Sequence, residues 1–407
     1  MKHSAITLMV LAVLAMVGCQ KTGTKTISIN VKVDETKLVA AGIPSPESYD
    51  VKISNFATGS VIETTTENGI ATAVGIIPGV YTVTVSASQN QGGFTYTIAG
   101  SESNVSLIAD GAEVTVKVEA VKEAALVFKE IYYTGVDPAN FYFRDQFYEI
   151  YNNSTEVVYA DGLCIAEAFF ANYDKSIIYE WPIENADQYV FAKVVWQLPG
   201  DGQMYPVKPG ESFVIAQWAT NHKAEKLSKG LSPVDLTGAE FEAIEKETTF
   251  NGITLTDNPA VNMQKVIQAG PAMPQWLTST SGSQYILFKP SAPLKNEDFL
   301  VATNADNSLA VAREIPISCI IDAVQAVSNE SGMSVLGLPT SLDAGAIWCS
   351  GSYVGESIAR KIKETRPDGT NVYQDSNNTT NDFEVKKDPQ VRRYDAKVPS
   401  WNTWINK

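Results

Sequence analysis

The sequence predicts an all-β protein, and two observations predict it. From Thr26 onward, apolar and polar residues alternate with period two. Ile27, Ile29, Val31 and Val33 fall on one face, and Ser28, Asn30, Lys32 and Asp34 on the other, the pattern of a half-buried strand. Short runs of the same kind then follow one another, separated by Gly, Pro and Asn turn signals, with no helical periodicity between them. The 407 residues allow two or three domains, and a hydrophobic content of 44% supplies material for real cores.

Ahead of the first strand stands a leader. Met1 to Ser4 carries Lys2 and His3, Ala5 to Val17 is apolar except for Thr7, and Gly18-Cys19 follows. A basic start, a short apolar run and a small residue describe a secretory signal too short to span a membrane. A cysteine directly after the cut is the pattern of bacterial lipoprotein signals, although Met16 stands where leucine is usual. Residues 1–18 are therefore expected to be removed and Cys19 to be lipidated; the alternative is an ordinary secretory signal with an incidental cysteine. Residues 19–25 form a polar tether without acidic residues, which leaves the membrane face open. No later stretch reaches the roughly 18 apolar residues of a spanning helix, so the lipid is the expected membrane attachment.

The first module covers 26–122. After Thr26 to Asp34, strands are expected at Tyr49 to Asn55, Val61 to Thr65, Val80 to Ala87, Thr95 to Ile98 and Glu113 to Ala120. Glu67-Asn68-Gly69 and Pro78-Gly79 supply turns. The stretch Thr66 to Gly69, with Ile76-Ile77-Pro78-Gly79-Val80-Tyr81-Thr82-Val83-Thr84-Val85, resembles the carboxypeptidase-regulatory or prealbumin-like modules of surface proteins. The resemblance implies a spacer or docking module whose Tyr81 packs inward, without a catalytic site.

The second module covers 125–390, with 391–407 as a C-terminal tail. Leu126 to Ile131, then Asp145 to Ser154, then the Lys208-Pro209-Gly210 turn leading into Phe213-Val214-Ile215-Ala216, resemble lamin-tail domains, which are immunoglobulin-like sandwiches. Together with Asp257 to Met263, Ser357 to Lys361, Asp368-Gly369 and Gln374 to Glu384, the order is similar to an uncharacterised family of Bacteroidetes lipoproteins. These resemblances imply a prealbumin-like sandwich followed by a larger lamin-tail-like one with insertions. The insertions fall at Ala171 to Trp196, Thr220 to Gly252 and Tyr285 to Leu309. In the second of these, Ser232-Pro233 followed by Phe241 and Ile244 predicts a short capped helix. Insertions at one end of a sandwich are where binding surfaces commonly lie.

Charge and rare residues exclude several functions. There are 31 basic and 46 acidic side chains, a net charge of −15, which repels phosphate backbones and argues against nucleic acid as a partner. Of two histidines, His3 lies in the leader. His222, in a polar stretch, is expected at the surface. No Gly-x-Ser-x-Gly elbow accompanies it. Cys164, Cys319 and Cys349 lie in apolar runs and read as small buried hydrophobes, with one disulfide as the alternative.

Three groups remain as candidate sites. Asp375, Asn377 and Asp382 place oxygen ligands in one short stretch, the type calcium takes, but Lys386 stands where an EF-hand needs its closing Glu. A turn in which these side chains satisfy backbone groups explains the same composition. Phe141, Tyr142 and Phe143 cannot all be buried by period-two alternation; they read as core and local packing, or as exposed rings offered to a sugar or a protein. Trp401 and Trp404, near the chain end, either fold back as a staple or anchor a partner. Glu130 and Glu149 illustrate the carboxylate pairs a hydrolase needs, but their separation is not legible in sequence.

The expected function is a non-enzymatic binding or accessory lipoprotein of the outer membrane, without cofactor or resident metal. It would assist nutrient capture beside a TonB-dependent transporter. An envelope scaffold or adhesin is the alternative, and a carboxylate hydrolase a third reading.

Overall fold

The computed structural model describes residues 25–405 apart from 56, 92–93, 169–178, 251, 270–273, 277, 305–306 and 335. The leader and Cys19 lie outside the described residues, as does part of the first expected insertion. The chain divides into two compact units. One runs up to Ser88 and resumes over Thr97–Val121; the other takes Gln89–Tyr96 and everything from Lys122.

The first unit realises the predicted alternation. Ile27–Asp34 is the centre of a three-stranded sheet, antiparallel to Ile70–Ile76 and parallel to Ala112–Lys117. Its Ile27, Ile29, Val31 and Val33 are buried. The second sheet runs in the order Ser60–Thr65, Asp50–Asn55, Gly79–Gln91, Phe94–Leu107 and Glu119–Ala124. Tyr81 is buried as expected, and its hydroxyl donates to the Ile77 carbonyl at 2.7 Å, closing the Pro-Gly turn. The expected strand over Glu113 to Ala120 is two strands, Ala112–Lys117 and Glu119–Ala124, one in each sheet. The chain changes sheets at the fully buried Val118. The sequence reading also misses Ile70–Ile76 and the short helix Thr36–Ala40.

The second unit is a sandwich of two seven-stranded sheets. Sheet I has the order Val261–Asn262, Phe241–Glu242, Ser212–Ala216, Phe147–Asn152, Leu126–Tyr132, Ser357–Arg360 and Phe383–Lys386. Sheet II has the order Leu300–Thr303, Leu309–Pro316, Tyr189–Gln197, Cys164–Ala168, Gln284–Phe288 and Ile320–Gln325. Its seventh strand, Gln264–Gln268, also pairs with Tyr189–Gln197. The core uses Leu126, Phe128, Ile131, Tyr148, Ile150 and Phe213 from sheet I and Ile165, Trp196, Tyr285, Leu287 and Val324 from sheet II.

Leu126–Tyr132 is buried at every position, although it carries Lys129 and Glu130. The reason is a register shift against Phe147–Asn152: Glu149 faces Glu130 while Ile150 faces Phe128. This bulge leaves Lys129 unopposed and breaks the alternation. Phe128 and Ile131 belong to the core between the sheets, and Lys129 and Glu130 are left to polar partners away from it. Two carboxylates directly opposite one another destabilise a sheet unless compensated. Here the Lys129 ammonium reaches Glu149 at 3.1 Å, and Ser212 and Ser357 donate to Glu149 and Glu130.

The C-terminal segment completes the compensation. The Gln390 N–H donates to Glu130 and the Arg392 N–H to Glu149, both at 2.9 Å. The Arg393 guanidinium pairs with Glu130 at 2.8 Å, while Arg392 pairs with the buried Glu240. Arg392, Tyr394 and Asp395 take left-handed backbone conformations, φ about 60°, to aim these donors. Further along, the indole N–H groups of Trp401 and Trp404 donate to the carbonyls of Pro206 and Ala239, each at 2.9 Å. Both tryptophans therefore fold back onto their own chain and are not free anchors for a partner.

The helix expected after Ser232-Pro233 is absent. A four-residue helix forms earlier, over Glu225–Ser228, while Phe241–Glu242 pairs in parallel with Ile215–Ala216. Two acidic side chains account for this. Glu240 accepts from the Val214 N–H at 2.8 Å and Glu242 from the Ala219 N–H at 2.9 Å, so these glutamates serve a neighbouring strand where a helix would expose them.

Candidate functional site

Strand direction brings five strand ends together at one end of this sandwich. Leu126–Tyr132 ends where Phe147–Asn152 and Ser357–Arg360 begin, and Ile320–Gln325 ends where Gln284–Phe288 begins. The Tyr353 N–H donates to the Thr134 carbonyl at 2.7 Å and the Gly355 N–H to the Gly135 carbonyl at 2.9 Å. In sheet II, the Ala326 N–H donates to Ser283 and the Val327 N–H to Ile347.

Two glycines allow this closeness. Gly135 and Gly282 have φ of +64° and +98°, and a Cβ on them would meet the Tyr142 and Ala326 carbonyl oxygens at 2.4 and 2.7 Å.

Between the loops lies a cavity of about 210 Å³ lined by Tyr133, Ser281, Val327, Ser328, Cys349, Gly351 and Ser352. Ser281 and Ser352 share a hydrogen bond of 2.8 Å, and the Cys349 N–H donates to the Tyr133 hydroxyl at 3.2 Å. Beneath it, Tyr133 packs on Tyr285, Tyr285 on Tyr148, and Tyr148 stacks on Trp276. Among the described residues, no charged side chain lines the cavity. The nearby acids Glu356 and Glu167 are held to backbone, accepting from the N–H groups of Ser350 and Ser279.

Beside it stands an aromatic lip. Phe141 is 59% exposed. Its ring meets Tyr353 edge-on at 5.2 Å, and Phe143 lies 6.5 Å from the same Tyr353. Phe141 and Tyr353 both occupy the left-handed region, φ 57° and 60°, which bulky side chains seldom adopt. Exposed Trp348 and Val354 flank Tyr353 in sequence. Tyr142 differs from its neighbours and from its expected place at an interface: it is buried, and its hydroxyl donates to His222 Nδ1 at 2.6 Å.

His222 is likewise buried, contrary to the surface position its polar context predicted. Its Nε2–H donates to the Trp218 carbonyl at 2.9 Å. Burial pushes the imidazole down to about 4, so it stays neutral and accepts from Tyr142. The Tyr142–His222 contact thereby anchors the loop that presents Phe141 and Phe143.

A crystal structure of a DUF4876 family protein from Bacteroides thetaiotaomicron VPI-5482 is similar over 92% of this chain and 99% of that one, with 34% identity and a TM-score of 0.63. The chain belongs to the DUF4876 family. The family model, described as a protein of unknown function, matches residues 208–390. In this DUF4876 protein that span holds Ser281, Ser352 and Tyr353 of the site, while Tyr133, Phe141 and Phe143 precede it. No curated protein matches.

The remaining candidates have other duties. Asp382 accepts from the Ser376 N–H and hydroxyl at 2.8 and 2.7 Å and from the Asn378 N–H. Asn377 occupies the left-handed turn position between them. Asp375 and Asp382 both face the buried Arg360 guanidinium, at 3.2 and 3.8 Å, and Asp322 contacts it as well. Burial alone would lower the pKa of Arg360, but these three carboxylates more than offset it and keep the guanidinium protonated. Their oxygens thus face an internal cation and a turn. Among the described residues, no cluster of three His, Cys, Asp or Glu side chains could hold a metal. Cys164, Cys319 and Cys349 are not joined in a disulfide; Cys164 and Cys349 are buried and Cys319 partly so. Burial pushes the Cys349 thiol up to about 12, leaving it a poor nucleophile.

Sequence reasoning named Phe141 and Phe143 but missed Tyr353, Ser281 and Ser352. Serine and a single tyrosine carry no pattern until the loops meet.

Proposed function

We propose that this DUF4876 protein is a lipid-anchored, non-catalytic binding component of the bacterial outer membrane. It is tethered through Cys19 and works beside a TonB-dependent transporter in nutrient capture. The observation that carries the binding reading is the Phe141–Tyr353 pair. Two large rings are held in unfavourable backbone conformations, one of them largely in water, beside a cavity. Strain and exposed apolar surface both cost stability, and they persist where a surface is kept for recognition.

The engagement of the acidic pair supports a non-catalytic role. Glu130 and Glu149 are spent on Lys129, Arg393 and backbone N–H groups. A hydrolase needs such acids to face a substrate cleft. The envelope assignment draws on the leader and on the resemblance to Bacteroidetes lipoproteins.

A crosslinked pulldown of the tagged protein from intact cells, scored with surface protease accessibility, tests the proposal. A transporter among the recovered proteins together with protease sensitivity is the expected result. Full protection with no membrane partner contradicts it.

A further inference from the structure

We infer that the cavity behind the aromatic lip takes one uncharged sugar ring, with the lip stacking on that ring or the next. This rests on the reading of that end of the sandwich as a binding surface, and deepens it to a ligand class.

Size comes first. At about 210 Å³ the cavity falls below the ~300–1,000 Å³ of sites for drug-sized molecules, and suits one substituted six-membered ring. Its lining comes next. Ser281, Ser328, Ser352 and the Tyr133 hydroxyl offer groups that both donate and accept. That is the complement of a polyol, whose hydroxyls need partners of either polarity. The single Ser281–Ser352 bond of 2.8 Å uses one O–H donor of the pair and exchanges readily for bonds to a polyol.

Charge decides the class. Among the described residues, no cation lines the cavity to draw a uronate, sulfate or phosphate, and no carboxylate lines it to draw an amino sugar. A charged ring would lose its hydration without a counter-charge. Val327 and Gly351 leave part of the wall apolar, as the C–H face of a pyranose requires. Phe141, Phe143 and Tyr353 then extend that apolar surface outward with electron-rich ring faces, against which polarised C–H groups rest favourably.

Saturation-transfer NMR on the full chain tests this. The neutral probes are methyl α-glucoside, methyl α-mannoside, methyl α-galactoside and N-acetylglucosamine, set against glucuronate and glucosamine. The expected result is transfer to at least one neutral probe, weakened about tenfold in Ser281→Ala/Ser352→Ala, in line with two lost hydrogen bonds. That variant should melt with the wild type, since both serines lie in loops. Transfer to the charged sugars alone overturns the inference. So does neutral binding indifferent to both the serine pair and Phe141→Ala/Tyr353→Ala, which puts the sugar elsewhere. If no sugar binds while envelope-partner recovery still depends on Phe141 and Tyr353, the sugar inference falls and the binding reading stands. If neither is seen, both fall.

Discussion

His222 shows how one residue's surroundings decide its role. A polar neighbourhood in sequence, Thr220-Asn221-His222-Lys223, predicts exposure, but the ring is buried with Tyr142 on one nitrogen and the Trp218 carbonyl on the other. Unfolded, this imidazole takes up a proton near pH 6.5; folded, it does so only near 4. Between those values the unfolded chain binds the extra proton, so stability falls as pH drops from about 6.5 toward 4. The contribution to the slope is up to about 1.4 kcal/mol per pH unit. Asp145, Glu167 and Asp322, pushed up to about 6, 7 and 7 by burial, titrate with the opposite sign in wild type and variant alike. The difference between wild type and His222→Gln in urea unfolding across pH 7 to 4.5 isolates the imidazole: the wild type's stability should fall relative to the variant's on acidification. Parallel curves would mean that His222 is not held neutral.

At the scale of elements, the strands were legible and their exceptions were not. Period-two alternation identifies Ile27–Asp34 because each residue's face is set by its own neighbours. The bulge at Lys129, the parallel pairing of Phe241–Glu242 and the folded-back Trp401 and Trp404 each depend on partners far along the chain. Glu130 and Arg393 are 263 residues apart, and no local pattern encodes their meeting. The candidate site divides in the same way. The triplet Phe141-Tyr142-Phe143 stands out because alternation cannot bury both of its faces, but which face is buried, and that Ser281 and Ser352 become neighbours, is settled only by the sheet register and the loops it brings together. The C-terminal segment yields a prediction at this scale. Removing the Arg393 guanidinium leaves Glu130 buried without its cation, which costs about 3–5 kcal/mol. Arg393→Ala should lose that much in denaturant unfolding and expose residues 388–405 to limited proteolysis. Adding Glu130→Gln should recover part of the loss by removing the stranded charge. An Arg393→Ala protein as stable and protease-resistant as wild type would refute the segment's role as a strap.

At the scale of the whole molecule, this is an all-β chain of the DUF4876 family with a loop end where the Phe141 ring is exposed at a cost in stability, and the anchor at Cys19 belongs to the proposed function. The acidic composition, −15 overall, suits an envelope surface and disfavours anionic partners. The aromatic lip stands on loops backed by a rigid sandwich, so its rings can be truncated without reaching the core. Its removal therefore separates function from folding. The decisive measurement is the amount of crosslinked envelope partner recovered from intact cells by wild type and by Phe141→Ala/Tyr353→Ala, at matched expression and melting temperature. The account predicts a loss of about tenfold or more, as expected when central aromatic anchors are truncated. Equal recovery from the two proteins would contradict it and show that this end of the sandwich is not where the protein binds.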